Sequence, residues 1–142
     1  MTYHKDKVTP AFYTYAHGVI MRRAGRDDWK RRPMRGKTTI LPVEQTFSAE
    51  EFALMQRGLV PQGPEDKWFI FYEDHALFFH RSWTGNCIYV VHFSDKGGEI
   101  RATYADVNRD PDQYEETDDQ RDRQLVLELI NVLLLRKVPE GS

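Results

Sequence analysis

The sequence predicts an α+β fold, a four- to five-stranded antiparallel meander sheet with two helices packed on one face. Two observations carry this expectation. A block over 67–107 is dense in aromatic and β-branched residues and is cut by tight-turn residues. On either side of it stands a helix start marked by capping-box spacing. A chain of 142 residues suits one domain, and the charge pattern divides it into a basic arm over 1–37 and a single α+β domain over 38–142.

Residues 11–21 (AFYTYAHGVIM) are apolar enough for a strand or a short packing segment, and their pattern does not choose between them. TTIL (38–41) reads as a strand running into Pro42. Ser48 and Glu51 then form S-x-x-E, in which each side chain satisfies a free backbone N–H at a helix start. Phe47 and Phe52 stand at hydrophobic-staple positions. Phe52, Met55 and Leu59 follow at helical spacing, and Gly58 suits the terminating left-handed position. The spacing predicts a helix over 49–57.

KWFIFYE (67–73), ALFFHRSW (76–83), CIYVVHF (87–93) and EIRATYADV (99–107) read as four strands. Asp74-His75, Gly85-Asn86 and Ser94–Gly98 separate them, and such short connections force antiparallel neighbours. Asn108-Arg109-Asp110-Pro111 ends the meander. Thr117 and Gln120 repeat the capping-box spacing before a helix whose residues 125–135 are apolar except Glu128 and Asn131. That helix must either plug the core or make a subunit contact, which would give a homodimer.

The net charge of −2 conceals an asymmetry. Residues 1–37 carry +7 and the remainder −9, with −6 concentrated in 106–122. Self-repulsion should leave 22–37 extended and mobile unless it is neutralised, and the acidic 106–122 stretch is one candidate partner. The functional alternative is nucleic-acid binding through Arg22, Arg23, Arg26, Lys30, Arg31, Arg32, Arg35 and Lys37, with counterion release as the driving force. Trp29 among these charges offers one stacking aromatic.

Two-residue hairpins at Asp74-His75 and Gly85-Asn86 would pair Trp68 with Arg81, and Arg81 with Val90. Side-chain alternation then groups Phe69, Phe71, Phe78, His80, Val91 and Phe93 on one face, expected beneath the helices. Trp68, Ile70, Tyr72, Phe79, Arg81, Trp83 and His92 fall on the other. Two indoles and a guanidinium on an open face would make a shelf that stacks a planar ring and clamps a phosphate. The expected ligand-binding set is Trp68, Arg81 and Trp83, with His92, Asn108 and Arg109 at the rim. The opposing reading is a Trp68–Arg81 cation–π pair that merely finishes a sheet surface.

Other chemistries are set aside. Cys87 and His80 would sit about 13 Å apart at strand rise, and His92 points to the other face. No C-x-x-C or H-x-x-x-H spacing marks a metal site, and D-K-G-G-E (95–99) is a turn rather than a P-loop, so neither metal nor cofactor is expected. One cysteine excludes an internal disulfide and fits a reducing, cytoplasmic compartment. No apolar run approaches the roughly 20 residues of a membrane-spanning helix, so no membrane partner is expected.

K-W-F-I-F-Y-E-D (67–74), H-R-S-W-T-G-N-C-I-Y (80–89) and V-N-R-D-P-D-Q-Y (107–114) resemble an uncharacterised bacterial family. The resemblance spans roughly 38–137 and includes a closing L-L-L-R (133–136). Members of that family occur alone or joined to ADP-ribosylglycohydrolase-type domains. This context implies a nucleotide or ADP-ribose-like ligand; it carries over no catalytic residue. Where the family's hairpin more often has Asp-Gly, this chain has Asp74-His75.

Overall fold

The computed structural model describes residues 13–16 and 19–137. A two-stranded hairpin, β1 (Tyr13–Ala16) and β2 (Val19–Arg22), precedes the main sheet. The rest of the predicted 11–21 segment, and Lys5 and Lys7 of the basic arm, lie outside the described residues. The main sheet is antiparallel, with β4 (Trp68–Glu73), β5 (Ala76–Arg81), β6 (Cys87–Lys96) and β7 (Glu99–Asn108) as a meander. A fifth strand, β3 (Thr38–Phe47), pairs with β7 to give the order β3-β7-β6-β5-β4. Helix α1 (Ala49–Arg57) and helix α2 (Asp119–Glu128) complete the α+β architecture.

Local sequence accounts for most boundaries. At α1 the Ser48 side chain accepts from Glu51 N at 3.0 Å, and Glu51 Oε1 accepts from Ser48 N at 2.9 Å. Phe47 and Phe52 both pack on Phe93, which anchors the helix entry to the sheet. Gly58 ends the helix at φ 69°, where a Cβ would stand 2.3 Å from the Ile70 carbonyl oxygen. That close approach lets Leu59 exchange backbone hydrogen bonds with Ile70 and cover the β4 edge. β3 is longer than expected: it passes through Pro42 and recovers its pairing after a bulge at Val43–Glu44. The proline and the bulge suit an edge strand.

α2 starts one residue later than the Thr117 capping box predicts. Asp118 is the cap, its Oδ1 accepting from Gln120 N at 2.9 Å and Arg121 N at 3.4 Å. A carboxylate acceptor at the positive helix end outcompetes the threonine hydroxyl. After Glu128 the chain continues in wider π-helical turns over Leu129–Leu134. Val126, Ile130 and Leu134 are fully buried against the sheet, so the helix plugs the core of its own chain.

The Asp74-His75 turn sets the first register as expected, pairing Trp68 with Arg81 and Phe69 with His80. Both turn residues have positive φ, 52° and 65°, the conformation that favours Asn-Gly or Asp-Gly in such hairpins. Replacing His75 with glycine is therefore expected to raise stability by about 0.5–1 kcal/mol, the relief of left-handed strain exceeding the added chain entropy. A denaturant titration in which the variant unfolds earlier than the parent would contradict this.

The second register is corrected. Gly85-Asn86 is not a two-residue turn: Arg81 N donates to Asn86 O, Gly85 N donates to Arg81 O, and the connection spans 82–86. Phe78, not Arg81, faces Val90, and Ile88 is an extra residue opposite the Phe79–His80 step. A second bulge makes Thr103 the extra residue of β7. These shifts exchange the faces of β6 relative to β5. The helices therefore cover Trp68, Ile70, Leu77, Phe79, Tyr89, Val91, Ala105 and Val107. Phe69, Phe71, Phe78 and His80 lie on the opposite face, against expectation.

That second face is not bare at the β4–β5 end. Residues 24–34 lie across it, with Ala24 and Trp29 packed on Phe69, Phe71 and Phe78, and Met34 against Ala76, Cys87 and Val90. Backbone bonds Ala24 N to Arg57 O (2.8 Å) and Arg32 N to Gly85 O (2.7 Å) hold the segment down. Arg26 adds a two-pronged ion pair with Glu73. Residues 24–34 of the basic arm are thus a strap over the sheet rather than a segment docked on 106–122. Three apolar anchors suffice because they close an aromatic face that water would otherwise meet.

Candidate functional site

The expected shelf of Trp68, Arg81 and Trp83 does not form on one open surface. Trp68 is 7% exposed and stacks on Tyr89 beneath α2. Arg81 lies over the Trp68 ring at 4.7 Å, as the structural reading of that pair foresaw. Trp83, by contrast, is 61% exposed.

The remaining expected rim residues are engaged elsewhere. His92 sits on the opposite sheet face, stacked on Tyr104 and bonded through Nε2 to Asp106 at 2.7 Å. It pairs with Ala76, five residues along β5 from Arg81, about 16 Å at strand rise. Asn108 is fully buried, donating to Cys87 O and Gln113 Oε1 while its Oδ1 accepts from Asp110 N. Arg109 is held by Asp119 and Asp122, each at 2.6 Å.

Asp122 is the centre of a buried polar cluster. It is fully buried, and the hydroxyls of Tyr89 and Tyr114 both donate to its Oδ1. Burial, then hydrogen bonding to the carboxylate, drives the Tyr89 pKa far upward. The same causes push Tyr114 up to about 12. Both phenols therefore stay protonated as donors, and Asp122 is the fixed acceptor that ties α2 to β6.

What the sequence reading missed is the surface around Trp83. Ser82 is tied on both sides, its N donating to Lys67 O and its Oγ to Asp66 O. Trp83 follows on a loop whose Gly85, at φ 83°, would place a Cβ 3.3 Å from Arg31 Cα. Only glycine lets the strap approach that closely without displacement. The Trp83 ring is fixed by its Nε1, which donates to Pro64 O at 2.9 Å, and by Lys67 Nζ 4.3 Å from its centroid. Trp29 is fixed in turn by Nε1 donating to Ser82 O at 2.8 Å.

Between Trp29 and Trp83, floored by Pro61 and Pro64, opens a largely apolar cleft of about 540 Å³. A second cleft, of about 460 Å³, shares Trp83 and Lys30 with the first and is lined further by Arg31, Arg32, Thr84 and Asn86. Lys67, whose ammonium lies over the ring, lines neither. Arg31 is bonded to Arg26 O and lies 4.0 Å from Asp27. Lys30 and Arg32 have no side-chain partner among the described residues. The signal that could have found this site was the interleaving of Trp29 with Lys30–Arg32, together with a glycine two residues after Trp83.

A further cleft, of about 370 Å³, lies at the other end of the strap. Of its three cations, Arg22 and Arg26 are paired with Asp28 and Glu73, Arg23 lies over the Tyr72 ring, and Arg22 holds the Asp28 carboxyl below its usual range. Mixed charges of this kind do not select an anion.

Reactive chemistry is poorly served. Burial pushes the Cys87 thiol up to about 12, so it stays protonated and inert. Burial lowers the His80 pKa, and its Nδ1 donates to Gly85 O at 2.9 Å. Among the described residues no group of three or more His, Cys, Asp or Glu is placed to hold a metal ion. No described helix is long and apolar enough to cross a membrane. No protein-family model, curated protein or solved structure matches this chain.

Proposed function

We propose that the protein is a small binding module for a nucleotide-type ligand, with Trp83 as the stacking platform. The carrying observation is one exposed indole, held by Pro64 and Lys67, beside the unpaired cations Lys30 and Arg32. A planar ring gains dispersion and stacking energy on a fixed indole without the entropy cost of ordering it. A phosphate gains from cations that need break no ion pair to receive it. The resemblance of the 67–114 motifs to a family joined to ADP-ribosylglycohydrolase-type domains supports the same ligand class. Relative to the sequence expectation, Trp83 is retained, and Trp29, Lys30 and Arg32 replace Trp68, Arg81, His92, Asn108 and Arg109.

The test is calorimetric titration with AMP, NAD and ADP-ribose, for the parent and Trp83→Ala. Stacking on one aromatic contributes about 1–3 kcal/mol, so the variant should bind at least about fivefold more weakly. No heat from any of them at millimolar concentration, or equal binding by the variant, would overturn the reading.

One observation favours nucleic acid as a second reading. Arg35 and Lys37 extend the line of exposed cations from Lys30 and Arg32 along the strap. A single-stranded oligonucleotide bound there would show affinity falling steeply with salt, and Arg35→Ala with Lys37→Ala would reduce that slope. Mononucleotides would show neither effect.

A further inference from the structure

The cationic cleft contains one feature that stacking and charge leave unexplained. Asn86 is 8% exposed, and its Oδ1 is buried with no hydrogen-bond partner among the described residues. The residue's main chain is fully used. Its N–H donates to Thr84 Oγ1 at 3.1 Å and its carbonyl accepts from Arg81 N at 2.8 Å. The side-chain oxygen therefore contributes nothing to the loop, and an unmet buried acceptor is a standing cost to the fold. A carboxamide at this position earns its place only if something else supplies a donor.

We propose that Asn86 reads a sugar hydroxyl, which makes the ligand a free ribonucleoside phosphate. This rests on the Trp83 reading above and deepens it. The company Asn86 keeps is the argument: Trp83 and Lys30 line both clefts, the apolar one with Trp29 and the cationic one with Thr84, Asn86 and Arg32. A ribonucleotide carries a ring, a hydroxyl-bearing sugar and a phosphate, and the two adjoining clefts offer an indole, an unmet acceptor and cations to match. Phosphate oxygens are acceptors and cannot satisfy Oδ1; a sugar hydroxyl can. The terminal torsion of asparagine is broad and soft, so the Oδ1 of this cleft-lining residue can turn to meet it.

The experiment titrates the intact protein with AMP and with its 2′,3′-dideoxy analogue, for the parent and Asn86→Ala. The parent should prefer AMP. Asn86→Ala should weaken AMP about tenfold, the effect of losing a buried hydrogen bond, and leave the dideoxy analogue unchanged. Without ligand its thermal midpoint should equal or exceed the parent's, because an unpaired buried acceptor has been removed. Asn86→Asp, which keeps an acceptor oxygen, should retain the preference for AMP while binding both nucleotides more weakly. Unchanged AMP binding by Asn86→Ala, or equal loss for both nucleotides, would overturn the proposal and leave the Trp83 platform standing. AMP binding that is absent, or insensitive to Trp83→Ala, would remove both.

Discussion

Replacing Asp122 with alanine is expected to lower the unfolding free energy by about 3 kcal/mol, the low end of the range for breaking a buried ion pair. The figure sits low because all three orphaned partners keep company. Arg109 retains Asp119 at 2.6 Å, and the Tyr89 and Tyr114 oxygens lie 2.8 Å apart. Arg109→Ala should cost at least as much, since it leaves a fully buried carboxylate without its cation. Asp122→Asn keeps an acceptor for the phenols and should fall between alanine and the parent. Guanidinium denaturation of the three variants checks the order, and an Asp122→Ala midpoint equal to the parent's would refute the cluster as the tie between α2 and the sheet.

Trp68→Ala should be the most damaging aromatic substitution, at about 3–5 kcal/mol, while Trp83→Ala should cost less than about 1 kcal/mol. Trp68 is 7% exposed and touches Phe79, Tyr89 and the Arg81 guanidinium, so its loss opens a cavity beneath α2. Trp83 loses one hydrogen bond and one surface cation–π contact. The two indoles thus separate by readout: one carries stability and the other ligand binding. Chemical denaturation beside nucleotide titration measures both, and a reversed stability order would contradict the face assignment.

Side-chain chemistry that acts within a few residues was legible in the sequence. Ser48 and Glu51 placed the start of α1 and Gly58 its end, because caps and staples satisfy backbone groups only three or four residues away. The Asp74-His75 turn set the β4–β5 register, since a two-residue hairpin leaves no freedom. The meander, and the second helix to within one residue, followed from the same local rules.

The sheet faces were decided only by tertiary structure. Ile88 and Thr103 are extra residues at bulges, and nothing in their local composition marks them. A bulge is chosen by which face finds cover, and each one exchanges inside for outside along the rest of its strand. The strap likewise defied its charge. Ten basic side chains over 1–37 argue for solvation, yet Ala24, Trp29 and Met34 find an aromatic surface that exists only once β4 and β5 have paired. The Trp83 cleft is built from residues 29–32, 61–64 and 82–86, and long-range contact alone brings those three segments together. Short-range hydrogen bonding and periodicity therefore determined the elements and their order. The burial of apolar area, summed over the whole chain, decided which side of the sheet faces water and hence where a ligand can bind.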